Sequence, residues 1–275
     1  MGVLDDKVAI VTGSARGIGK ATAELLSEHG AKVVINDLDA DLAAQTASEI
    51  AGETAVFGGD LTKPDAPDAL VKTALDAWGK IDIIVNNAGY TIDAPIHKMS
   101  DDAFQRMLDI HTVVPFRVIR AAAPHLREPA KQEREQGVEV FRKIVNVSSI
   151  SGTMGNAGQA NYSAGKNAVV GLTKTLAKEW GQFKINVNAV AFGWIETRLT
   201  ASKVEDNTME IGGEKVQLGI PDQMRGMASM LIPLGRTGTP EEAAGGVFFL
   251  CSPWSNFVHG QVLNITGGQF TGMTT

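Results

Sequence analysis

The chain is poor in several residue types on which particular functions depend. It has one cysteine in 275 residues, Cys251, so no disulfide can form within the chain and no thiolate cluster can hold a metal. Lysine and arginine number 25 against 31 aspartates and glutamates, and a net charge of −6 disfavours binding to a phosphate backbone. Its apolar runs are far shorter than the roughly 20 residues of a membrane span. We therefore expect neither a nucleic-acid partner nor a membrane-embedded protein.

Other absences narrow the expected class further. The five histidines show no metal-ligand spacing, which predicts that the chain holds no metal. The N-terminus carries neither a basic and apolar export signal nor a lipidation signal, and with a single cysteine this favours the cytoplasm. At 44% apolar and 20% charged residues, the composition is that of a packed globular protein.

Short β-branched segments alternate with helical patterns along the chain. The strand-like segments are Val8 to Thr12, Lys32 to Asn36, Ala55 to Gly58, Ile81 to Asn86, Lys143 to Ser148, Ile185 to Ala191 and Gln261 to Ile265. The helical ones are Ile18 to His29, Ala66 to Trp78, Ala103 to Ala123, Ser163 to Trp180 and Pro240 to Leu250. This alternation predicts an α/β fold with a parallel sheet covered by helices on both faces. No linker or repeat divides the chain, so we expect one domain over 1–275.

Two segments depart from this alternation. About 127–143 carries nine charged residues in seventeen, which indicates a solvated helix extension or loop, with a partner contact as the alternative. About 196–231 is irregular and long for a loop in a compact domain, and we interpret it as a mobile lid over a substrate site.

A glycine-rich turn follows the first strand and opens the first helix. In Thr12-Gly-Ser-Ala-Arg-Gly-Ile-Gly19, the glycines permit a close backbone approach to a ligand, and the helix N-terminus attracts negative charge. This context predicts that a dinucleotide binds here through its pyrophosphate.

Asp37 ends the second strand, eighteen residues after Gly19. Its carboxylate can accept hydrogen bonds from both hydroxyls of an adenosine ribose, and it would repel a 2′-phosphate by on the order of 3 kcal/mol per unit charge. The sequence therefore predicts NAD rather than NADP. Arg16 is the open alternative, because a guanidinium in the loop could serve a 2′-phosphate or simply lie on the surface.

Tyr162 and Lys166 are four residues apart in a helical segment, so their side chains share one face. A phenol is a poor base at neutral pH, and a neighbouring ammonium is expected to lower its pKa. Ser149 follows a strand end and can orient a substrate carbonyl. By spacing alone, a Tyr and Lys pair is usually an ordinary surface pair.

The conjunction of these motifs changes that interpretation. The glycine turn, then Asn86-Asn87-Ala88-Gly89, then Ser149, then Tyr162-Ser-Ala-Gly-Lys166 resembles, in order and spacing, the classical short-chain dehydrogenase/reductase family over nearly the whole chain. The segment from Gly155 to Tyr162 most resembles the 3-oxoacyl-acyl-carrier-protein reductases. The resemblance implies a doubly wound Rossmann fold with a seven-stranded parallel sheet.

The resemblance also implies a role for each matching residue. Ser149 would polarise a carbonyl, Tyr162 would transfer a proton, and Lys166 would lower the tyrosine pKa and bind the nicotinamide ribose. The other implied cofactor-binding residues are Gly13, Arg16, Gly17, Ile18, Gly19, Asp37, Asp60, Leu61, Asn87, Ala88, Gly89, Gly193, Ile195 and Thr197.

Two positions depart from the family pattern. His111 stands where the family usually has an asparagine that anchors a water in the proton relay. It is expected either to relay protons, with a charge change near pH 6.5, or to be a buried histidine that only replaces a hydrogen bond. Phe192 stands where a proline usually precedes Gly193.

The expected activity is hydride transfer between NAD and a secondary alcohol or ketone. The resemblance favours a 3-oxoacyl thioester, whereas Asp37 also fits an NAD-dependent dehydrogenase of a hydroxysteroid, sugar alcohol or other secondary alcohol. A dinucleotide sensor without catalysis is the alternative from another class, although it would not need Ser149, Tyr162 and Lys166 together. The family also implies a homotetramer.

Overall fold

The computed structural model describes residues 2–202, 207–211, 214–220, 222, 226 and 230–269. Its main elements are β1 (Val8–Val11), α1 (Gly17–Glu28), β2 (Lys32–Asp37), α2 (Ala40–Glu49), β3 (Thr54–Gly58), α3 (Ala66–Trp78), β4 (Ile83–Asn86), α4 (Asp101–Leu108), α5 (Val114–Glu135), β5 (Arg142–Ser149), α6 (Ile150–Met154), α7 (Ala160–Trp180), β6 (Ile185–Phe192), β7 (Thr208–Ile211), β8 (Glu214–Gln217), α8 (Pro240–Cys251) and β9 (Val262–Ile265).

Seven strands form one parallel sheet in the order β3-β2-β1-β4-β5-β6-β9. Alternate residues of a strand face opposite sides, and here both sides are buried: Val8 and Ile10 belong to the apolar core under α3, α5 and α7. Ala9 and Val11 belong to the core under α1, α2 and α8. The predicted doubly wound fold is confirmed, because the sheet is parallel and helices pack on both of its faces.

The chain order of the strands reverses between β1 and β4. In a doubly wound sheet, the carboxyl ends of the strands beside this reversal leave a crevice, and ligands bind there. The glycine turn after β1, Asp37 at the end of β2 and Asn87 after β4 all lie at this edge.

The predicted helix Ala103 to Ala123 is divided in the structure. A π-helical turn, Asp109–Val113, separates α4 from α5, and both Ile110 and His111 are buried in it. Such turns often occur at functional sites. α5 continues to Glu135, so the first part of the charged segment extends this helix. A helix extension and a loop were the two structures expected for it.

The predicted lid contains a two-stranded antiparallel hairpin, β7 and β8. Other parts of it, among them residues 203–206, 223–225 and 227–229, lie outside the described residues. No helix in the described part of the chain combines the length and the apolar character needed to cross a membrane.

Candidate active site

The glycine turn has a backbone that other residues would strain. Gly13 and Gly17 have φ angles of +63° and +55°, in the left-handed region that favours glycine. A Cβ at Gly19 would lie 2.1 Å from the Gly13 carbonyl oxygen and 2.5 Å from Asn87 Nδ2. The third glycine is therefore required by close packing between the turn and the start of α1.

Asn87 fixes this turn from the neighbouring strand. Its Nδ2 donates to the carbonyl oxygens of Thr12 and Gly13, both at 2.9 Å. The Thr12 hydroxyl accepts in turn from the backbone N–H groups of Asn87 and Ala88, both at 3.0 Å. Asn87 and Ala88 therefore hold the shape of the predicted phosphate site.

The N-terminus of α1 is available to an anion. Arg16, at the N-cap, makes no side-chain cap hydrogen bond, and the first turn of the helix has no acidic residue. The first N–H groups of a helix lack partners within the helix, and they carry partial positive charge. The turn and the helix end therefore fit a pyrophosphate group.

A cleft of about 560 Å³ opens at this point, a size typical of sites for small molecules. It brings together most of the predicted cofactor-binding residues: Gly13, Arg16, Gly17, Ile18, Gly19, Asp37, Asp60, Leu61, Asn87, Ala88, Gly89 and Thr197. Gly193 and Ile195 do not line it. A Cβ at Gly193 would lie 2.9 Å from Thr266 Cα, and the Ile195 side chain is buried in the core under α1 and α8.

Sequence reasoning missed part of the cleft wall. The residues concerned include Leu38, Lys63, Tyr90, Arg106, Asp109, Ile110, Arg198, Leu199, Met209 and Leu218. Tyr90 had a signal, because it directly follows Asn-Asn-Ala-Gly. Met209 and Leu218 lie in the segment predicted as a lid over a substrate site, but no local pattern assigns them to the cofactor cleft, because the position of the β7–β8 hairpin depends on tertiary contacts.

Two of the acidic residues on the cleft, Asp37 and Asp60, are oriented by nearby donors. Asp37 accepts from the backbone N–H groups of Ala15 and Asp39, each at 3.3 Å. Asp60 accepts from the N–H of Thr62 at 2.9 Å and from its hydroxyl at 2.7 Å. A carboxylate has about four acceptor positions, so both retain capacity for a ligand.

Ser149, Tyr162 and Lys166 meet at the junction of β5, α6 and α7. The Ser149 hydroxyl caps α6 by accepting from Ser151 N–H at 3.1 Å, and the Ser149 side chain lies near enough to Tyr162 to influence the tyrosine pKa. Lys166 Nζ lies 5.7 Å from the centre of the Tyr162 ring and donates to the Val147 carbonyl at 2.7 Å. The predicted arrangement of two hydroxyls with an amine behind them is therefore present.

The charge states differ from the sequence-based expectation. Burial raises the pKa of Tyr162 to about 12, although the nearby Ser149 side chain opposes the rise. Burial also lowers the pKa of Lys166 to about 7. Burial therefore acts on the tyrosine pKa in the direction opposite to the lowering expected from a neighbouring ammonium.

His111 connects this cluster to the cleft. Its Nε2 donates to the Tyr90 carbonyl at 2.7 Å, since a carbonyl can only accept, and its ring packs edge-on against Tyr162 with centroids 4.9 Å apart. Gly89 makes room for the ring, because a Cβ there would lie 2.3 Å from His111 Cε1. The catalytic cluster thus lies directly behind the Gly89–Tyr90 wall.

The protonation state of His111 is also corrected by the structure. Burial, with a smaller effect of the Lys166 charge, holds the pKa of His111 well below its usual range, and the hydrogen bond to Tyr90 opposes this only in part. The histidine is therefore neutral near pH 6.5 and does not change charge there. With Nε2 carrying the proton, Nδ1 is a buried acceptor that has no hydrogen-bond partner in the described part of the chain.

Comparison with known proteins agrees with this geometry. A family model described as enoyl-(acyl carrier protein) reductase matches residues 13–269. The 3-oxoacyl-[acyl-carrier-protein] reductase of Vibrio cholerae is 38% identical over 268 residues, which cover 97% of this chain and 98% of that protein. The corresponding reductase of Thermotoga maritima is 37% identical over 268 residues, or 96% of this chain and 98% of that protein.

A solved structure shows the same fold at similar coverage. It is a gluconate 5-dehydrogenase from Burkholderia cenocepacia J2315 in complex with NADP and tartrate, with a TM-score of 0.82 and 31% identity. The match covers 98% of this chain and 97% of that one. With the glycine cradle, the cleft and the Ser-Tyr-Lys cluster in place, the chain is an oxidoreductase that belongs to the short-chain dehydrogenase/reductase family.

Proposed function

We propose that the protein is an NAD-dependent reductase of 3-oxoacyl thioesters such as those carried by acyl carrier protein. The observation that carries the proposal is that His111 connects the cofactor cleft to the Ser149–Tyr162–Lys166 cluster. It contacts both the Tyr90 backbone in the cleft wall and the Tyr162 ring. A dinucleotide in the cleft and a carbonyl at the hydroxyl cluster would therefore be neighbours. The high identity to two 3-oxoacyl-[acyl-carrier-protein] reductases supports this substrate class.

The chemistry divides between the cofactor and the protein. A bound nicotinamide ring supplies hydride transfer at its C4 carbon. The Ser149 hydroxyl donates a hydrogen bond to the substrate carbonyl oxygen, and the Tyr162 hydroxyl donates its proton to that oxygen during reduction. Lys166 returns a proton to Tyr162, and its pKa near 7 suits this task at neutral pH. Alcohol oxidation runs through the same residues in reverse.

Asp37 supports NAD over NADP. It lines the cleft at the end of β2, and its orientation by two backbone N–H groups leaves acceptor positions for both ribose hydroxyls. A 2′-phosphate placed there would be repelled. The related gluconate 5-dehydrogenase was solved with NADP, so the opposite preference is a concrete alternative. Faster turnover of this protein with NADPH than with NADH would contradict the assignment of NAD.

The test is an absorbance assay at 340 nm with NADH and NADPH against acetoacetyl thioesters, and with NAD and NADP against hydroxysteroids and polyols. We expect reduction of the thioester with at least a tenfold preference for NADH in kcat/KM. A crotonyl thioester arm separates carbonyl reduction from enoyl reduction. Turnover of alcohols alone would favour the secondary-alcohol dehydrogenase, and binding of NAD without any turnover would favour the sensor.

His111→Ala tests the proposed relay role of the histidine. If Nδ1 accepts a hydrogen bond in the relay, kcat falls on the order of 100-fold, the usual contribution of an acid–base group, while the Kd for NADH changes less than threefold. His111→Asn, which keeps a hydrogen-bonding side chain, restores part of kcat. Stopped-flow turnover with a parallel binding titration measures both. Unchanged turnover in His111→Ala would remove His111 from the mechanism.

We also propose that 196–231 acts as a lid, extending over the cofactor cleft through Arg198, Leu199, Met209 and Leu218. Arg198 supports this arrangement, because its Nε donates to Asn207 Oδ1 at 3.1 Å while Asn207 Nδ2 donates back to the Arg198 carbonyl at 3.0 Å. Assembly as a homotetramer and a cytoplasmic location remain predictions from the sequence and its family.

A further inference from the structure

Three carboxylates follow one another closely at the end of β2 and the start of α2, and one of them lines the cleft. Asp37 ends β2, Asp39 is the N-cap of α2, and Asp41 lies in the first turn of that helix. Arg16, at the start of α1, lies beside Asp39. Asp37 lines the cleft and has its own backbone partners, so the question is what holds Arg16.

Within the described part of the chain, the guanidinium of Arg16 uses few of its hydrogen-bond donors. Its side chain lines the cleft and is 36% exposed, and its Nη2 lies 3.6 Å from Asp39 Oδ2, its one ion-pair contact among the described residues. Its Nε is buried and has no acceptor among the residues that the structure describes. A guanidinium has five N–H donors that suit planar anions such as phosphate, so this group retains most of its capacity for an anion.

Asp39 is held in place independently of Arg16. Its Oδ1 accepts from Leu42 N–H at 3.1 Å and so caps α2, which leaves Oδ2 directed towards Arg16. Because the cap already holds the Asp39 side chain in place, little side-chain conformational entropy is lost when Asp39 pairs with Arg16. Asp39 is therefore preorganised for the ion pair with Arg16, although both side chains are partly exposed.

We propose that Asp39 is a specificity-determining residue that acts through Arg16. By pairing with the guanidinium, it keeps Arg16 from binding a 2′-phosphate, so that discrimination between the two dinucleotides depends on the Asp39–Arg16 pair as well as on Asp37. The inference rests on the proposed preference for NAD. It explains how a cation can lie in the cleft of a protein that selects the cofactor without the extra phosphate.

Adenosine fragments test this without catalysis. Calorimetric Kd values for 5′-AMP and adenosine 2′,5′-bisphosphate are measured at low ionic strength on the full chain. We expect the native protein to prefer 5′-AMP. Asp39→Asn, which keeps an N-capping side chain, is expected to bind the bisphosphate about fivefold more tightly, the size of one exposed ion pair, with the Kd of 5′-AMP changed less than twofold.

Two further variants show whether the gain comes from Arg16. In Asp39→Asn/Arg16→Gln, the gain in bisphosphate affinity is expected to vanish, because no guanidinium is left to release. Asp41→Asn is the matched control, since it removes the same charge from an exposed position on the same helix turn, and it is expected to change the affinity less than twofold. Asp39→Ser, also a good N-cap, replaces Asp39→Asn if that variant unfolds.

The outcomes separate this inference from the proposed cofactor preference. An increase in bisphosphate affinity that persists in the double variant without Arg16, or that is equally large in Asp41→Asn, would reflect the general loss of negative charge. Either result would overturn the role of Asp39. No gain in Asp39→Asn would overturn it as well. If the native protein prefers the bisphosphate to 5′-AMP, the assignment of NAD is contradicted. The role of Asp39 is then still decided by whether the increase in bisphosphate affinity of Asp39→Asn requires Arg16.

Discussion

Tyr162→Phe is expected to lower kcat for carbonyl reduction by about 1,000-fold or more. The variant keeps the ring that packs edge-on against His111, and it removes only the hydroxyl that we propose gives its proton to the substrate oxygen. Proton transfer by a positioned side chain typically contributes 10²- to 10⁴-fold. Single-turnover kinetics with NADH and acetoacetyl thioester measure the effect.

The binding of the cofactor serves as the control for this variant. Because Tyr162 is not among the residues that line the cleft, the Kd for NADH should remain within about twofold of the native value. A kcat reduced less than tenfold with binding intact would contradict the assignment of Tyr162 as the proton donor. A large rise in Kd would place the tyrosine in cofactor binding instead.

Lys166→Met is expected to lower kcat about 100-fold and to remove a titration from the pH profile. Burial lowers the pKa of Lys166 to about 7, so the Tyr162–Lys166 pair loses a proton as the pH rises through that value. Carbonyl reduction consumes a proton and is expected to slow above pH 7, whereas alcohol oxidation releases one and is expected to speed up. The native profiles should therefore bend near pH 7 in opposite directions.

Lys174→Met is the matched control, because it removes an exposed lysine from the same helix. Its rates and its pH profile are expected to equal those of the native protein. A bend near pH 7 that survives in Lys166→Met would assign the titration to another group. His111 is then an unsuitable source, since burial holds its pKa well below the usual range.

The sheet and the positions of its strands could be predicted from the chain because both depend on local patterns. Val8 to Val11 is apolar at every position, as expected of a strand that is buried on both faces. α2 was missed, because Ala40–Glu49 is rich in polar and small residues and buries only a narrow stripe. Its cap, Asp39, is the clearest local signal of its start.

The interruption between α4 and α5 could not be predicted in the same way. The segment from Ala103 to Ala123 reads as one helix, and nothing local distinguishes the π-helical turn Asp109–Val113. The turn is coupled to the burial of His111 between Gly89 and Gly165, two glycines far apart in sequence. Helix geometry here follows from packing against other elements, which overrides local preference.

The sequence by itself determined the alternating strands and helices of the fold, the glycine cradle that fits a dinucleotide, and the candidate reacting groups Ser149, Tyr162 and Lys166. These depend on backbone freedom, side-chain chemistry and helical spacing, all of which are properties of the chain itself. Only the tertiary structure decided the charge states of Tyr162, Lys166 and His111 and the partner of Arg16. A pKa depends on which groups surround a side chain and on how much water remains, and that environment is assembled from segments that are distant in sequence.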